Sequence, residues 1–169
     1  MFMAGKLILI GGVSRSGKST LAQQLASVLP HSAYLEQDFF VKSEEQLPVI
    51  QNRIDWDSPE SVDWISWEAA IRNNLESYDW VVAEGIFAFY NEVINELKHF
   101  TIHLSVDRNT FLDERKKETR WGEEPEWFLD HVWESHLKYS NVHNIDFDLS
   151  ANRAQLPPVS LIKEQVLIK

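Results

Sequence analysis

Gly12-Val13-Ser14-Arg15-Ser16-Gly17-Lys18-Ser19 is the stretch on which the fold turns. It satisfies G-x-x-x-x-G-K-[ST], and its flanks carry as much weight as the match: a continuous apolar run over 6–10 leads into it, and a helical pattern leads out from Thr20. Glycines let the backbone curl so that successive N–H groups point inward at an anion, and the helix N-terminus adds partial positive charge. A bare Gly-rich turn between strand and helix is the plain alternative, and strand, loop and helix in this order speak against it. The stretch therefore reads as a phosphate-binding loop for ATP, formed by Gly12, Val13, Ser14, Arg15, Ser16, Gly17, Lys18, Ser19 and Thr20. Lys18 is expected to reach the β- and γ-phosphates and the Ser19 hydroxyl to ligate Mg2+.

Working outward, short apolar strands are expected over 33–35, 80–85 and 100–106, and helices over 20–29, 59–76, 91–98, 109–120, 126–139 and 159–169. Ser58 reads as the N-cap of the helix over 59–76, Pro59 as its first residue, and Val62, Ile65 and Ala69 as its buried face. Strands alternating with helices predict an α/β architecture: a P-loop kinase fold with a central parallel sheet of about five strands, helices on both faces and a helical lid over about 109–130. With 169 residues and neither internal repeat nor linker, one domain is expected over 1–169.

The net charge of −10 argues against a broad nucleic-acid footprint, which calls for a basic face. No stretch reaches the roughly 18 to 20 apolar residues of a membrane-spanning helix, so no membrane partner is expected. The sequence contains no cysteine, which removes disulfides, thiolate catalysis and Cys-rich zinc sites and fits a cytoplasmic enzyme. Seven Trp give an aromatic-rich chain, in which most rings are core and a few suit a pocket for a flat ligand.

A phosphate loop alone does not separate a kinase from a GTPase, a motor or an ATP-binding regulatory module. The N-K-x-D tetrad of guanine specificity is absent and the chain has little room for motor machinery, which leaves a small-molecule kinase in front. Asp38 stands at the carboxyl end of the second strand, where ligands of open α/β sheets bind; it reads equally as a base for an acceptor hydroxyl and as a turn residue. Asp57 reads as a helix cap or a ligand, and Trp56 as core or as a stacking surface for a base. Glu84 ends a buried strand, a place packing rarely gives to an acid, and is expected at Mg2+ or substrate. Residues 113–120 form a charge run, either a solvated helix face or a lid whose Arg115 and Arg120, with Lys116 behind them, meet the transferring phosphoryl group.

Together these segments resemble the uridine kinase and nicotinamide riboside kinase family of P-loop nucleoside kinases. The matching pieces are Gly12 through Thr20, Gln37-Asp38 with Phe40, Trp56-Asp57-Ser58-Pro59, Glu84-Gly85-Ile86-Phe87, the basic run ending in Thr119-Arg120, and His131-Val132-Trp133 with Leu137-Lys138-Tyr139. The last of these is similar to the nicotinamide riboside kinase branch. The resemblance implies phosphorylation of a ribonucleoside 5′-hydroxyl, with nicotinamide riboside ahead of uridine or cytidine and another small alcohol as the alternative. It implies Asp38 as catalytic base, Asp57 as ligand to the ribose hydroxyls, Glu84 at Mg2+, lid cations on the phosphates, and Trp56 and Trp121 as the two faces of a clamp on the base.

The chain departs from the family pattern in places. Phe39 follows the catalytic Asp where a small or acidic residue is usual, so an alternative register puts Gln37 at the catalytic position. Asp38 is preferred because it keeps the stretch from Lys18 ungapped and because Gln accepts no proton. The run Gly122-Glu123-Glu124-Pro125-Glu126 is acidic beside a phosphate site and is expected to face solvent. Past Tyr139 the resemblance fades, and the adenine-binding loop, sought around 150–153, has no assigned residues.

Overall fold

A computed structural model describes residues 5–120 and 122–169. Trp121, expected as one face of the base clamp, lies outside the described residues. The apolar run opens strand β1 (Lys6–Gly12), whose Leu7, Ile8, Leu9 and Ile10 are all fully buried. Side chains alternate across a strand, so a run apolar at every position needs cover on both faces. Ile8 and Ile10 pack with Leu21 and Leu25 of helix α1 (Lys18–Val28) and Ile162 and Val166 of the closing helix, while Leu7 and Leu9 pack with Trp67 and Ile71 on the other face.

Strand β2 (Ser32–Glu36) follows α1, and a short antiparallel hairpin, β3 (Val49–Ile50) and β4 (Arg53–Ile54), precedes helix α2 (Trp64–Ser77). Then come β5 (Trp80–Gly85), α3 (Glu92–Glu96), β6 (Lys98–Ser105), α4 (Arg108–Lys117), α5 (Glu126–Tyr139), β7 (Leu149–Asn152) and α6 (Val159–Ile168). The main sheet has five strands in the order β2-β5-β1-β6-β7, every neighbouring pair parallel. The expected P-loop kinase architecture is thus present, with β1 in the middle and its loop at the carboxyl edge. Above that edge α4 and α5 close a third apolar cluster of Val13, Val106, Phe111, Phe128 and Val132. Among the described residues no helix is long and apolar enough to cross a membrane.

The helix expected over 59–76 is corrected at its start. Ser58 and Pro59 open a 3₁₀ turn (Pro59–Ser61), and α2 begins later, capped by Asp63, whose side chain accepts the Ser66 N–H at 3.1 Å. Its buried face is Trp67 and Ile71, whereas Ile65 is 84% exposed and Ala69 is exposed. The Ser-Pro pair is a valid helix-start signal, spent here on a single turn that ties back through Asp63 N–H to the Phe40 carbonyl.

Candidate active site

The phosphate loop is shaped by backbone that few residues accept. Gly12 has φ 146°, and a Cβ there would lie 2.0 Å from the Leu104 carbonyl oxygen of β6, so only glycine lets the loop leave the sheet at this point. Arg15 holds a left-handed φ of 67°. Lys18 opens α1 and lies buried over the loop, its Nζ donating to the Val13 carbonyl at 3.1 Å. Burial lowers the Lys18 pKa, against the pull of Glu84, Asp38 and Glu36.

Glu84 ends β5 beside that lysine. Its Oε1 accepts from Ser19 Oγ at 2.7 Å and lies 3.1 Å from the Tyr34 hydroxyl. Burial raises the Glu84 carboxyl despite Lys18 and Ser19, and the same burial, with the charge of Glu84, raises the Tyr34 phenol. The structure thus brings the Ser19 hydroxyl and the Glu84 carboxylate, both expected at Mg2+ from the sequence, into direct contact with each other.

Gln37 and Asp38 separate on the 3₁₀ turn (Gln37–Phe39) that follows β2. Gln37 is 2% exposed, and its Oε1 accepts the Phe87 N–H at 3.0 Å. Asp38 is exposed at the carboxyl edge, close enough for its charge to act on both Lys18 and Glu84. The geometry gives Gln37 a backbone partner and leaves Asp38 exposed beside it.

Asp57 is buried and held on both oxygens, Oδ1 at 3.0 Å from His136 Nε2 and Oδ2 accepting from Arg115 Nη2 at 3.3 Å. Burial works to raise its carboxyl, but the hydrogen bond from His136 and the charge and hydrogen bond of Arg115 outweigh it and hold Asp57 below the usual carboxylate range. Next to it, Asp55 accepts the Asp57 N–H at 3.1 Å and pairs with His131 Nε2 at 2.9 Å. Trp56, between the two, is 41% exposed, so its ring is neither core nor fully solvated.

The charge run is more than a solvated face. Arg115 is clamped by Glu124 through Nε at 2.8 Å and Nη2 at 3.0 Å, and its other contact is Asp57. This corrects the expectation for the acidic stretch: Glu123 and Glu126 are exposed, but Glu124 turns inward to the guanidinium. Lys116 is exposed; Arg120 is exposed and pairs with Glu118, which also takes Arg15 of the phosphate loop at 2.9 Å. Arg153, just past β7, donates to the Arg15 carbonyl at 3.0 Å and to Glu114 at 2.8 Å, so the segment sought for adenine lies against the phosphate loop.

Sequence reasoning passed over His136, Asp55 and Tyr34, and left Arg153, within the segment sought for adenine, without an assigned role. For His136 a signal was present: with Leu129 and Val132 it lies on one helical face, and a polar side chain on a buried face needs partners. It has two, the Ser14 N–H at Nδ1 (3.2 Å) and Asp57 at Nε2.

No protein-family model matches the sequence. Among curated proteins the chain is 31% identical over 139 residues to the uridine kinase of Schizosaccharomyces pombe, covering 65% of this chain, and it spans only 31% of that relative's length. It is 30% identical over 150 residues to nicotinamide riboside kinase 1 of Homo sapiens, covering 79% of this chain and 75% of that protein. Among solved structures, a gluconokinase from Sinorhizobium meliloti 1021 superposes with a TM-score of 0.55 at 20% identity, covering 99% of this chain and 92% of the other, a likeness of fold. Identity of this order over three quarters of the human protein, on a parallel sheet whose central strand feeds a phosphate loop, decides the matter: the chain belongs to the family of P-loop kinases that includes the nicotinamide riboside kinases and the uridine kinases.

Proposed function

We propose that the chain transfers the γ-phosphoryl group of ATP to the 5′-hydroxyl of a ribonucleoside, nicotinamide riboside first and uridine or cytidine second. The observation that carries this reading is the exposed Asp38 carboxylate at the edge of the sheet, electrostatically coupled to Lys18 and Glu84, with its neighbour Gln37 locked inward. The names of the two relatives, nicotinamide riboside kinase 1 and uridine kinase, support the choice of acceptors.

In this account the phosphate loop and Lys18 hold the ATP phosphates, and Asp38 holds the acceptor hydroxyl in line. The acceptor oxygen forms its bond to the γ-phosphorus as the bond to the bridging oxygen of ADP breaks, and the hydroxyl proton passes to Asp38. Asp57 receives the ribose hydroxyls on lone pairs that His136 and Arg115 leave open, and Trp56 offers a face to the base. Arg120 and Arg15, gathered by Glu118 near the loop, supply lid-side cations for the phosphates.

The donor set fits a hard divalent cation, because the Ser19 hydroxyl and the buried Glu84 carboxylate are both oxygen ligands and burial leaves Glu84 short of positive charge. Ser19 and Glu84 would hold Mg2+, which when bound offsets charge on the transferring phosphoryl group.

Coupled ATP consumption, measured without acceptor and then with nicotinamide riboside, uridine, cytidine and a set of simple sugars, tests the proposal. Turnover should rise with one or more nucleosides and stay at background with the sugars. A response to a sugar alone makes the chain a kinase of another small alcohol, and a flat response across the panel contradicts acceptor chemistry.

A further inference from the structure

We propose that His136 is a positioning residue that fixes the phosphate loop and the Asp57 carboxylate in one register. Its ring is fully buried on α5 and meets Phe87 and Phe111 at steep interplanar angles of 80° and 76°, which restrict its rotation. Nδ1 lies 3.2 Å from the Ser14 N–H and Nε2 lies 3.0 Å from Asp57 Oδ1. A backbone amide only donates, so Nδ1 must present its lone pair, and the single proton of a neutral imidazole then sits on Nε2, facing the carboxylate.

This pairing links elements far apart in sequence. Ser14 is separated from His136 by 122 positions and Asp57 by 79, and Asp57 passes the connection to Arg115 on α4 and so to Glu124. The Ser14 N–H is thereby committed to the helix, which fixes where the loop begins its curl around phosphate. The Asp57 oxygen is fixed by the same ring, so its orientation toward an acceptor does not depend on side-chain rotamer chance. A histidine that served packing alone would need one partner for its N–H; this one spends both ring nitrogens on two different parts of the site.

Three variants test the assignment, each followed by ATP binding in calorimetry, by steady-state kinetics with the nucleoside that responds best, and by thermal melting. His136→Phe keeps an aromatic ring and removes both hydrogen bonds; it should weaken ATP binding about tenfold and lower kcat/KM for the acceptor about 100-fold, because two buried partners are left unpaired. His136→Gln offers an oxygen and an N–H about as far apart as the ring nitrogens and should bring both constants back to within about threefold of wild type. His136→Asn reaches only the Ser14 side, and should keep ATP affinity while raising the acceptor KM.

A purely structural histidine predicts a lower melting temperature with unchanged constants in the folded protein, and that result for His136→Phe overturns the proposal. If His136→Phe does not fold, His136→Asn decides: ATP affinity and acceptor KM both at the wild-type value contradict the assignment. The kinetic arm rests on the proposed phosphoryl transfer, whereas the ATP arm does not. Should wild type phosphorylate no nucleoside, weaker ATP binding by His136→Phe with restoration by His136→Gln still supports the His136 link.

Discussion

Gln37 occupies the space that a side chain on Gly85 would need: a Cβ at Gly85 would fall 2.4 Å from Gln37 Oε1 and 2.5 Å from its Cβ. The contact joins the end of β2 to the end of β5, and with them the two carboxylates Asp38 and Glu84. It explains why a glycine follows Glu84 and why Gln37 cannot serve the acceptor. Gly85→Ala should therefore cost about 1–3 kcal/mol of stability through overpacking, and in the fraction that folds it should lower turnover by moving Asp38. Denaturant unfolding and kinetics on the same preparation check this; a fully stable, fully active Gly85→Ala protein would refute the coupling.

Glu84→Gln keeps an oxygen for the Ser19 hydroxyl but removes the charge. Because a divalent ion prefers the carboxylate, the Mg2+ concentration for half-maximal turnover should rise about tenfold to 100-fold. A titration of activity against Mg2+ at saturating ATP reads this directly, and an unshifted midpoint would remove Glu84 from the metal's surroundings.

Trp56→Ala tests the stacking role. Loss of one ring face against a base is worth about 1–3 kcal/mol, so the nucleoside KM should rise about five- to 100-fold with ATP affinity unchanged. Equal KM values for wild type and variant would return Trp56 to a structural role and favour an acceptor without a base.

Acid should lower the protein's stability through His136 and Asp57. Burial lowers the His136 pKa, with Lys18 and Arg115 adding to that direction and Asp57 opposing it. As pH falls below about 6.5, the unfolded chain therefore takes up the proton before the native one does, and stability drops. Asp57, held below the usual carboxylate range, contributes stability that is present above its unfolded pKa and is lost as pH falls through its folded value. Melting temperature against pH should decline from about 6.5 downward, and His136→Gln should lessen the upper part of that decline, to which His99 and His103, also lowered by burial, contribute the rest. A wild-type curve that stays level to pH 5 would contradict the neutral imidazole.

The centre of the molecule was legible because its signals are local. An unbroken apolar run, a Gly-rich loop with Lys-Ser, and an acid at the end of Trp80-Val81-Val82-Ala83 each carry their reading within a few residues, and α5 lies where its pattern put it, at Glu126–Tyr139. What escaped depends on partners distant in sequence. Strand β7 reads Leu-Ser-Ala-Asn, four residues whose alternation, with Leu149 and Ala151 on the core, is too short to mark a strand by itself, and it is secured by Asp148 accepting from Thr101 N at 2.8 Å. The β3–β4 hairpin turns through Gln51 and Asn52 at φ 46° and 64°, a turn usually announced by Asn-Gly. Asp57 looked like a cap because it precedes Ser-Pro; its binding to His136 and Arg115 exists only once α4 and α5 lie over the sheet.

Asp38→Asn tests most directly the division of labour at the centre of this account, in which the loop holds ATP and Asp38 handles the acceptor. Its steady-state turnover with nucleoside should fall by about 100- to 10,000-fold, the range for a positioned base, while calorimetric ATP affinity stays at the wild-type value. Turnover at the wild-type rate would contradict the account.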